Sequence, residues 1–509
     1  MNKIFALSSR LQVFCQEHST TGQLFGNMPH NGTYEPSRGR YGSIKRRKFW
    51  PFLYCNESLT LGKLHPHMRQ RDIFSFWLPL FASWLLMTTE GPVVSAFINR
   101  LPDEVIMLAA MGIVTSLSVT IESPIINLLA TSTALTRDRP AYLLLRKFTF
   151  HWMIILTLIT VLLAFTPLFE LIVVDLMNVP QPVADWVRPG LRIMSFWSAA
   201  IAWRRFLQGI MIRYNQTRKV AWGTIVRLGA SGGIVLLLSM LSQWPGVVVG
   251  SVALMAGVIA EASYATIAVQ PILRRELAPG SPLYDGQPLT YRKLFWFHLP
   301  LAATSLLALL VQPLVAFSLA RSSNPTLSLA AWPVVFQFTL VARSAAFALP
   351  EVIIALFIGQ DTFRPLRRFT TTLVIASTLF MVSIILTPLS SLYLLGIQDL
   401  TQPVAFIARA GLLYFIPYPA LATLISWIRG LLINRGATRP VNGGMAINLF
   451  VTAIVLYIGL LYNWPGINAA AIALCLAAVA EFVFLWWRVE GVLDFKFSII
   501  EFRRTPVAG

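Results

Sequence analysis

The segment FSFWLPL, residues 74–80, recurs as FWFHLPL at residues 295–301. The same spacing places RKFT at 146–149 on RRFT at 367–370 and, with one residue less, WPG at 244–246 on WPG at 464–466. One short coincidence would mean little, but a nearly constant register over about 200 residues indicates an internal duplication. The chain is therefore expected to consist of two homologous halves.

The composition is that of a chain surrounded by lipid. Of its 509 residues, 56% are hydrophobic and 12% are charged, whereas soluble domains carry about 25% charged residues. The formal net charge of +19 arises from Lys and Arg in short connections and in an N-terminal extension, so we expect it to face anionic lipid headgroups and not nucleic acid. The three cysteines are too few and too scattered for a disulfide framework or a metal site, and we expect neither a metal nor a cofactor.

Apolar segments long enough to cross a bilayer, which takes about 20 helical residues, recur after Arg71. Because lipid offers the backbone no hydrogen-bonding partner, these segments are expected to be helical. The predicted fold class is all-α, a polytopic membrane protein of about twelve transmembrane helices in two pseudo-symmetric six-helix bundles. The predicted spans are 73–98, 104–135, 145–169, 184–212, 219–242, 246–273, 293–320, 326–358, 367–395, 402–433, 440–462 and 466–488.

The repeat and the spans divide the chain into five regions. Residues 1–72 form a basic polar extension with the run KRRK at 45–48; we expect it to be disordered or bound at the membrane surface, or to be an over-extension ahead of Met68. The first lobe covers 73–275 and helices 1 to 6, and a cytoplasmic linker covers 276–292. The second lobe covers 293–488 and helices 7 to 12, and a cytoplasmic tail covers 489–509.

Lys and Arg concentrate in the connections after even-numbered helices, for example at Arg137, Arg218, Arg274 and Arg439. The positive-inside rule then places these connections and both termini in the cytoplasm, and we expect the cell membrane as the location. Six crossings per half give the two halves the same orientation, related by a pseudo-two-fold axis along the membrane normal. That arrangement is associated with alternating access about a central cavity.

Ionisable side chains inside membrane helices are costly and usually face a cavity or a partner. The repeat places Glu122 of helix 2 on Arg343 of helix 8, each followed by a serine, Ser123 and Ser344. Our hypothesis is a gate or substrate contact in which Arg343 receives an anionic group and Glu122 holds Arg343 when the site is empty. The alternative is a structural ion pair, or two charges that are each satisfied within their own lobe.

Two further carboxylates, Glu261 and Glu481, recur at matched positions, and we expect a structural role for them inside each lobe. The expected partners are Arg227, Arg204 or Arg205 in the first lobe and Arg429 in the second.

Glu90 has no acidic counterpart, since Val311 takes its place in the second half. As a lone carboxylate beside an expected kink, Glu90 is a candidate carrier of a coupling proton. Pro92 and Pro313 lie inside helices 1 and 7, where the missing amide donor favours a kink. They are candidate hinges, and the alternative is inherited packing geometry alone.

The segment at 74–80, the long second helix that runs through Glu122, Ser123 and Pro124 into Arg137, and the alanine-rich final helices resemble the multidrug/oligosaccharidyl-lipid/polysaccharide (MOP) exporter superfamily, in a MATE-like form. Within it, the progressive ankylosis (ANK) family is the most similar. The loop TRDRP at 136–140 is superficially similar to the major facilitator signature, but it lacks that signature's glycine and downstream basic pair. The resemblance covers about residues 73–488.

The resemblance implies two V-shaped bundles that rock about a cavity lined by helices 1, 2, 7 and 8. Progressive ankylosis proteins are linked to export of small organic or phosphate anions, in agreement with Arg343 in the cavity. No residue set here corresponds to the sodium or proton site of toxin-extrusion proteins, so the coupling ion stays open, as do the transport direction and the oligomeric state.

The leading interpretation is a secondary exporter of small anionic solutes. The alternatives are a flippase for lipid-linked polar substrates and multidrug extrusion of cationic compounds. The sequence has no phosphate-binding glycine loop, nucleophile elbow or zinc-type His/Glu cluster. We therefore expect a transporter and not an enzyme, with the lipid bilayer and a small-molecule substrate as its partners.

Overall fold

A computed structural model describes residues 69–214, 216–241, 243–283 and 287–492. Within these ranges the chain is helical and contains no strand. The basic run at 45–48, the position of Met68 and the tail beyond residue 492 lie outside the described residues. Ten described helices are long and apolar enough to cross a membrane, or eleven when the bent pair Gln402–Tyr414 and Tyr418–Asn434 is counted as one span. The prediction of a polytopic all-α membrane protein is therefore confirmed.

The first lobe contains helices α1 to α6, three of which are interrupted. Their bounds are α1a Gln70–Thr88 and α1b Glu90–Ile98, α2a Glu104–Glu122 and α2b Leu128–Leu135, α3 Arg139–Phe165, α4a Gln181–Ile193 and α4b Trp197–Arg213, α5 Thr217–Leu241, and α6 Gly246–Arg275.

The second lobe repeats this order with α7 to α12. Their bounds are α7a Tyr291–Leu309 and α7b Val311–Leu319, α8a Pro325–Ala342, α8b Ser344–Phe347 and α8c Leu349–Leu356, α9 Gln360–Leu386, α10a Gln402–Tyr414 and α10b Tyr418–Asn434, α11 Thr438–Leu461, and α12 Gly466–Glu490. Several helices start earlier than predicted, by up to seven residues at α9. The reason is that their first turns are amphipathic and precede the apolar segment from which each span was predicted.

Eleven of the twelve predicted spans are long and apolar enough to cross a membrane, and helix α4 is the one that does not meet this criterion. It is interrupted by a 3-10 turn at Met194–Phe196, and its charged residues include Arg192, Arg204 and Arg205. The second half, α4b, buries most of its length against the other helices of the lobe. Its charge is therefore directed into protein, where lipid exposure does not penalise it.

Both leading helices break three residues before the prolines that the sequence analysis identified. Helix α1 is interrupted at Thr89 and α7 at Leu310, ahead of Pro92 and Pro313. A proline cannot donate to the carbonyl four residues earlier and its ring clashes there. The interruptions lie where this missing bond would have continued the helix.

Each break divides its helix between the two lobes. Helix α1a packs against the second lobe: the indole Nε1 of Trp77 donates to the carbonyl of Ala345 at 3.2 Å, and the Trp84 ring lies 5.1 Å from that of Phe347. Helix α1b packs against α5 and α6 of its own lobe. Helix α7a crosses in the opposite sense, where Asn127 Nδ2 donates to the carbonyl of Leu301 at 2.9 Å. The leading helices α1 and α7 thus connect the two lobes, because part of each packs against the opposite lobe.

Helices α2 and α8 meet on the pseudo-two-fold axis. Gly112 and Pro333 are matched by the repeat register, and they contact each other: a Cβ on Gly112 would lie 2.6 Å from Cγ of Pro333. A residue that touches its own counterpart must lie next to the symmetry axis. The absence of a side chain at Gly112 is therefore what allows the lobes to approach this closely.

Candidate functional site

A cluster of charged side chains fills the interior of the first lobe. Arg204 of α4b forms a buried ion pair with Glu261 of α6, and Gln208 Nε2 donates to the other carboxylate oxygen of Glu261 at 2.9 Å. The structure therefore brings Arg204 and Glu261 together, as the sequence analysis expected. Gln208, one turn further along the same helix face as Arg204, was not identified from the sequence.

Glu90 is bonded to Arg227 of α5, and this changes its interpretation. The two side chains are joined by contacts of 2.7 Å and 3.0 Å, and Arg227 Nη1 also lies 3.9 Å from Glu261. Glu90 is therefore an ion-paired carboxylate, and its role as a carrier of a coupling proton stays a prediction. The sequence paired Arg227 with Glu261 alone because α1b and α5 are far apart in the chain, and no local pattern indicates that they pack together.

Glu122 lies in the same cluster, at the end of α2a. It is buried, and the charges that act on it come from Arg204, Arg205 and Arg227. Its Oε2 and the hydroxyl of Ser123 have no hydrogen-bond partner among the described residues. Three carboxyl groups and three guanidinium groups thus lie together within the first lobe.

The second lobe holds a smaller version of this cluster at matched positions. Arg429 of α10b forms an ion pair with Glu481 of α12, and Asn448 Nδ2 donates to the other carboxylate oxygen at 3.0 Å. In the repeat register Arg429 matches Gln208, and Asn448 matches Arg227. In the first lobe the amide stands on α4b and the arginine on α5, whereas in the second lobe the arginine stands on α10b and the amide on α11. The carboxylate that they contact is kept at the matched position in both lobes. This exchange was readable from the register but was missed.

Arg343 lies at the break between α8a and α8b, without a carboxylate among the ion pairs of the described residues. Its Nη1 donates to the hydroxyl of Tyr418 at 3.0 Å, and its Cζ lies 4.9 Å from the ring centroids of both Tyr418 and Phe347. Arg343 is half-buried. The hydroxyl of Ser344 donates back to Val341 of its own helix at 2.6 Å.

The structure does not bring Glu122 and Arg343 together. Each occupies the break of its own helix and is surrounded by groups of its own lobe, next to the matched residues Trp197 and Tyr418. The interactions of each charge thus lie within its own lobe, and Glu122 Oε2 and Arg343 Nε have no hydrogen-bond partner among the described residues.

The seam between the lobes, formed by α1, α2, α7 and α8, contains polar groups that bond across it. The hydroxyl of Ser95 lies 3.0 Å from the side-chain oxygens of both Gln337 and Gln398. His298 of α7a is buried against the first lobe, where its Nε2 donates to the carbonyl of Pro124 at 3.0 Å and its Nδ1 lies 2.9 Å from the Thr131 hydroxyl. Because a carbonyl only accepts, the proton of His298 is placed on Nε2.

The part of the chain that the structure describes contains no group of three or more His, Cys, Asp or Glu side chains able to hold a metal ion.

No protein-family model matches the sequence, and no curated protein sequence matches it either. Solved structures do match. An inward-facing multidrug resistance MATE family transporter of the MOP superfamily has a TM-score of 0.63 at 14% identity, covering 81% of this chain and 95% of its own. The lipid II flippase MurJ in an inward closed conformation has a TM-score of 0.61 at 14% identity, covering 82% of this chain and 87% of its own.

A MOP superfamily transporter from Pyrococcus furiosus also matches, with a TM-score of 0.54 at 12% identity, covering 83% of this chain and 96% of its own. The matches cover both halves of the chain together. The chain is therefore an integral membrane protein with the fold of MATE and MOP superfamily transporters. The closer similarity to progressive ankylosis proteins stays a prediction.

Proposed function

We propose that this protein is a secondary active exporter of small anionic solutes, driven by alternating access between its two six-helix lobes. The observation that carries the proposal is the contact of two repeat-related lobes on their symmetry axis, at Gly112 and Pro333. Such an axis lets either end open while the helices within each lobe keep their packing. The broken leading helices support this, because α1 and α7 connect the lobes through interruptions that are able to bend.

The distribution of bond strengths also supports movement of rigid lobes. A buried ion pair joins α4b to α6 in the first lobe, and a partly buried one joins α10b to α12 in the second. Contacts across the seam are neutral or involve backbone carbonyls. Breaking a buried ion pair is far more costly than exchanging a neutral hydrogen bond with water. The lobes are therefore expected to part along the seam and not internally.

Arg343 supports an anionic substrate. Its guanidinium group has a neutral phenol as its side-chain hydrogen-bond partner and is half-exposed between two aromatic rings. Helix α1a, which contacts α8b, lies beside it. A planar guanidinium in this setting is suited to bidentate binding of a carboxylate or phosphate. In the cluster of the first lobe, by contrast, three carboxyl groups accompany the three guanidinium groups.

Basic residues cluster at and beside the connections after α2, α4 and α8, at Arg137, at Arg218 in the first turn of α5 and at Arg364 in the second turn of α9. We propose that this end of the helices is cytoplasmic, in the cell membrane. Export then means binding of the solute from this end and its release at the other.

Transport by Arg343 variants tests the substrate class. Purified protein in liposomes is given labelled organic anions, phosphates, cationic drugs and lipid-linked sugars under imposed ion gradients. For an anion that the wild type transports, Arg343→Ala is expected to lower the rate about 10- to 100-fold, because a charge-assisted hydrogen bond contributes about 1.5–3 kcal/mol. Arg343→Lys, which keeps the charge without the planar fork, is expected to retain part of the rate.

The matched control is Arg409→Ala, which removes an exposed arginine of the same lobe and is expected to leave the rate unchanged. Transport of cations without anions, or normal anion transport by Arg343→Ala, would overturn the anionic assignment. Transport of lipid-linked sugars without free anions would support the flippase alternative instead.

A further inference from the structure

Each lobe reaches the other through an arginine that follows its leading helix. Arg100 follows α1b, and its Nη2 donates to the backbone carbonyl of Ile397 at 3.0 Å. Arg321 follows α7b, and it donates to the carbonyls of Leu176 at 2.5 Å and Met177 at 2.7 Å. In the repeat register, Arg100 matches Arg321 and Ile397 matches Leu176. The two contacts are therefore related by the pseudo-two-fold axis.

Both arginines are fixed at their own helix in the same manner. Arg100 Nη1 donates to the carbonyl of Ala96, and Arg321 Nη1 lies 3.5 Å from the carbonyl of Phe317, in each case four residues back. The Arg321 guanidinium also lies 3.8 Å from the centroid of the Phe317 ring. These bonds keep each guanidinium at the helix end, pointed at the opposite lobe.

The carbonyls of Leu176 and Ile397 are the last ones of two short π-helices, Glu170–Leu176 and Leu392–Ile397, which follow α3 and α9, and Met177 is the residue after the first of them. The last carbonyls of a helix have no partner within it. In both lobes the chain then turns sharply at a residue with positive φ, Asn178 at 58° and Asp399 at 53°. Each half of the duplication has thus kept an arginine that donates hydrogen bonds and a turn whose carbonyls accept hydrogen bonds from the arginine of the other half.

The contact between Arg100 and Ile397 is connected by further hydrogen bonds to the break in α1. Asn99 Nδ2 donates to the carbonyl of Gln398 at 2.8 Å, and the buried side chain of Gln398 donates to the carbonyl of Pro92 at 3.1 Å. At the matched positions of the other pair stand Ala320 and Met177, which have no such groups. If the lobes separate at Arg100, the hydrogen bonds that break therefore include those of Gln398, which extend to Pro92 beside the interruption of α1.

We propose that Arg100 and Arg321 form two inter-lobe latches that hold closed the end of the protein opposite the basic loops, and that both release when that end opens. A guanidinium bonded to backbone carbonyls at a helix end accessible to water exchanges them for water readily, unlike the buried ion pairs inside the lobes. The latches thus provide a reversible closure between two bodies that stay intact.

Accessibility of a seam residue tests the latches without any substrate, so the result is independent of the proposed transport function. Ser95 is buried beside Gln398, and Ser95→Cys is placed in a variant whose three native cysteines are serine. The protein in lipid nanodiscs is reacted with a membrane-impermeant maleimide. Arg100→Ala with Arg321→Ala is expected to raise the labelling rate about tenfold or more, since several charge-assisted bonds are lost.

Each single substitution is expected to raise the rate by a smaller factor, and the two factors are expected to multiply. The control is Arg188→Ala, because Arg188 lies at the same end but pairs with Glu170 of its own lobe; it is expected to leave the rate unchanged. A wild-type labelling rate in the folded double variant would overturn the proposal, as would an equal rise in the control. If the double variant does not fold, the single variants decide: a rise in neither overturns the proposal.

Discussion

Arg204→Met is expected to lower the unfolding free energy by about 3–5 kcal/mol, the typical effect of removing one partner from a buried ion pair. The side chains of Arg204 and Glu261 are 7% and 1% exposed, so the substitution leaves a buried carboxylate with Gln208 as its nearest donor. Reversible unfolding in mixed micelles measures the change.

The repeat supplies a matched comparison for this prediction. Arg429→Met removes the guanidinium partner of Glu481 in the second lobe, but Arg429 is 26% exposed, so water is able to replace part of the lost interaction and a smaller loss is expected. Adding Glu261→Gln to Arg204→Met is expected to recover stability, since the buried carboxylate that has lost its closest guanidinium group is then removed. An effect of Arg204→Met below about 1 kcal/mol would contradict the account of a lobe held together by buried ion pairs.

Gly112→Leu is expected to reduce transport at least about tenfold while the helices stay folded. The added Cβ would lie 2.6 Å from Cγ of Pro333, well inside the van der Waals contact distance of about 3.5–4.0 Å. A proline ring in a helix cannot rotate away, so the two lobes must separate at their axis. The rate is measured in liposomes with the best anion of the panel.

Gly229→Leu is the control for this substitution, because a Cβ there meets nothing within 4 Å. It is expected to transport normally. Pro333→Ala is expected to restore part of the rate lost by Gly112→Leu, since it removes the ring that the new side chain meets. Normal transport by Gly112→Leu alone would show that close contact on the axis is unnecessary.

The architecture was predictable because its determinants are local and repeated. Lipid requires helices wherever an apolar segment crosses it. The register between the halves also lets a feature of one half predict the same feature at the matched position of the other, such as the prolines beside both helix breaks. The ion pairs of Glu261 and Glu481 were expected for the same reason: a carboxylate kept inside each half needs a cation on a neighbouring helix.

The pairing of Glu90 with Arg227 and the separation of Glu122 from Arg343 were not predictable by the same reasoning. Both depend on how helices distant in the chain pack against each other, and the register compares the halves without giving that packing. The crossing of α1a and α7a to the opposite lobes has the same origin. Breaks at the prolines were visible in the sequence, but the lobe that each half-helix contacts is decided by tertiary packing.

The most direct test of alternating access is a pair of distance measurements between spin labels at matched positions. Arg218 and Arg439 are exposed at the basic end, and Gln181 and Gln402 are exposed at the opposite end. Each pair is changed to cysteine and labelled in the variant without native cysteines. Under imposed ion gradients and with transported anion, we expect two states in which one distance lengthens as the other shortens. Distances that stay constant, or that change in the same direction at both ends, would contradict alternating access between two rigid lobes.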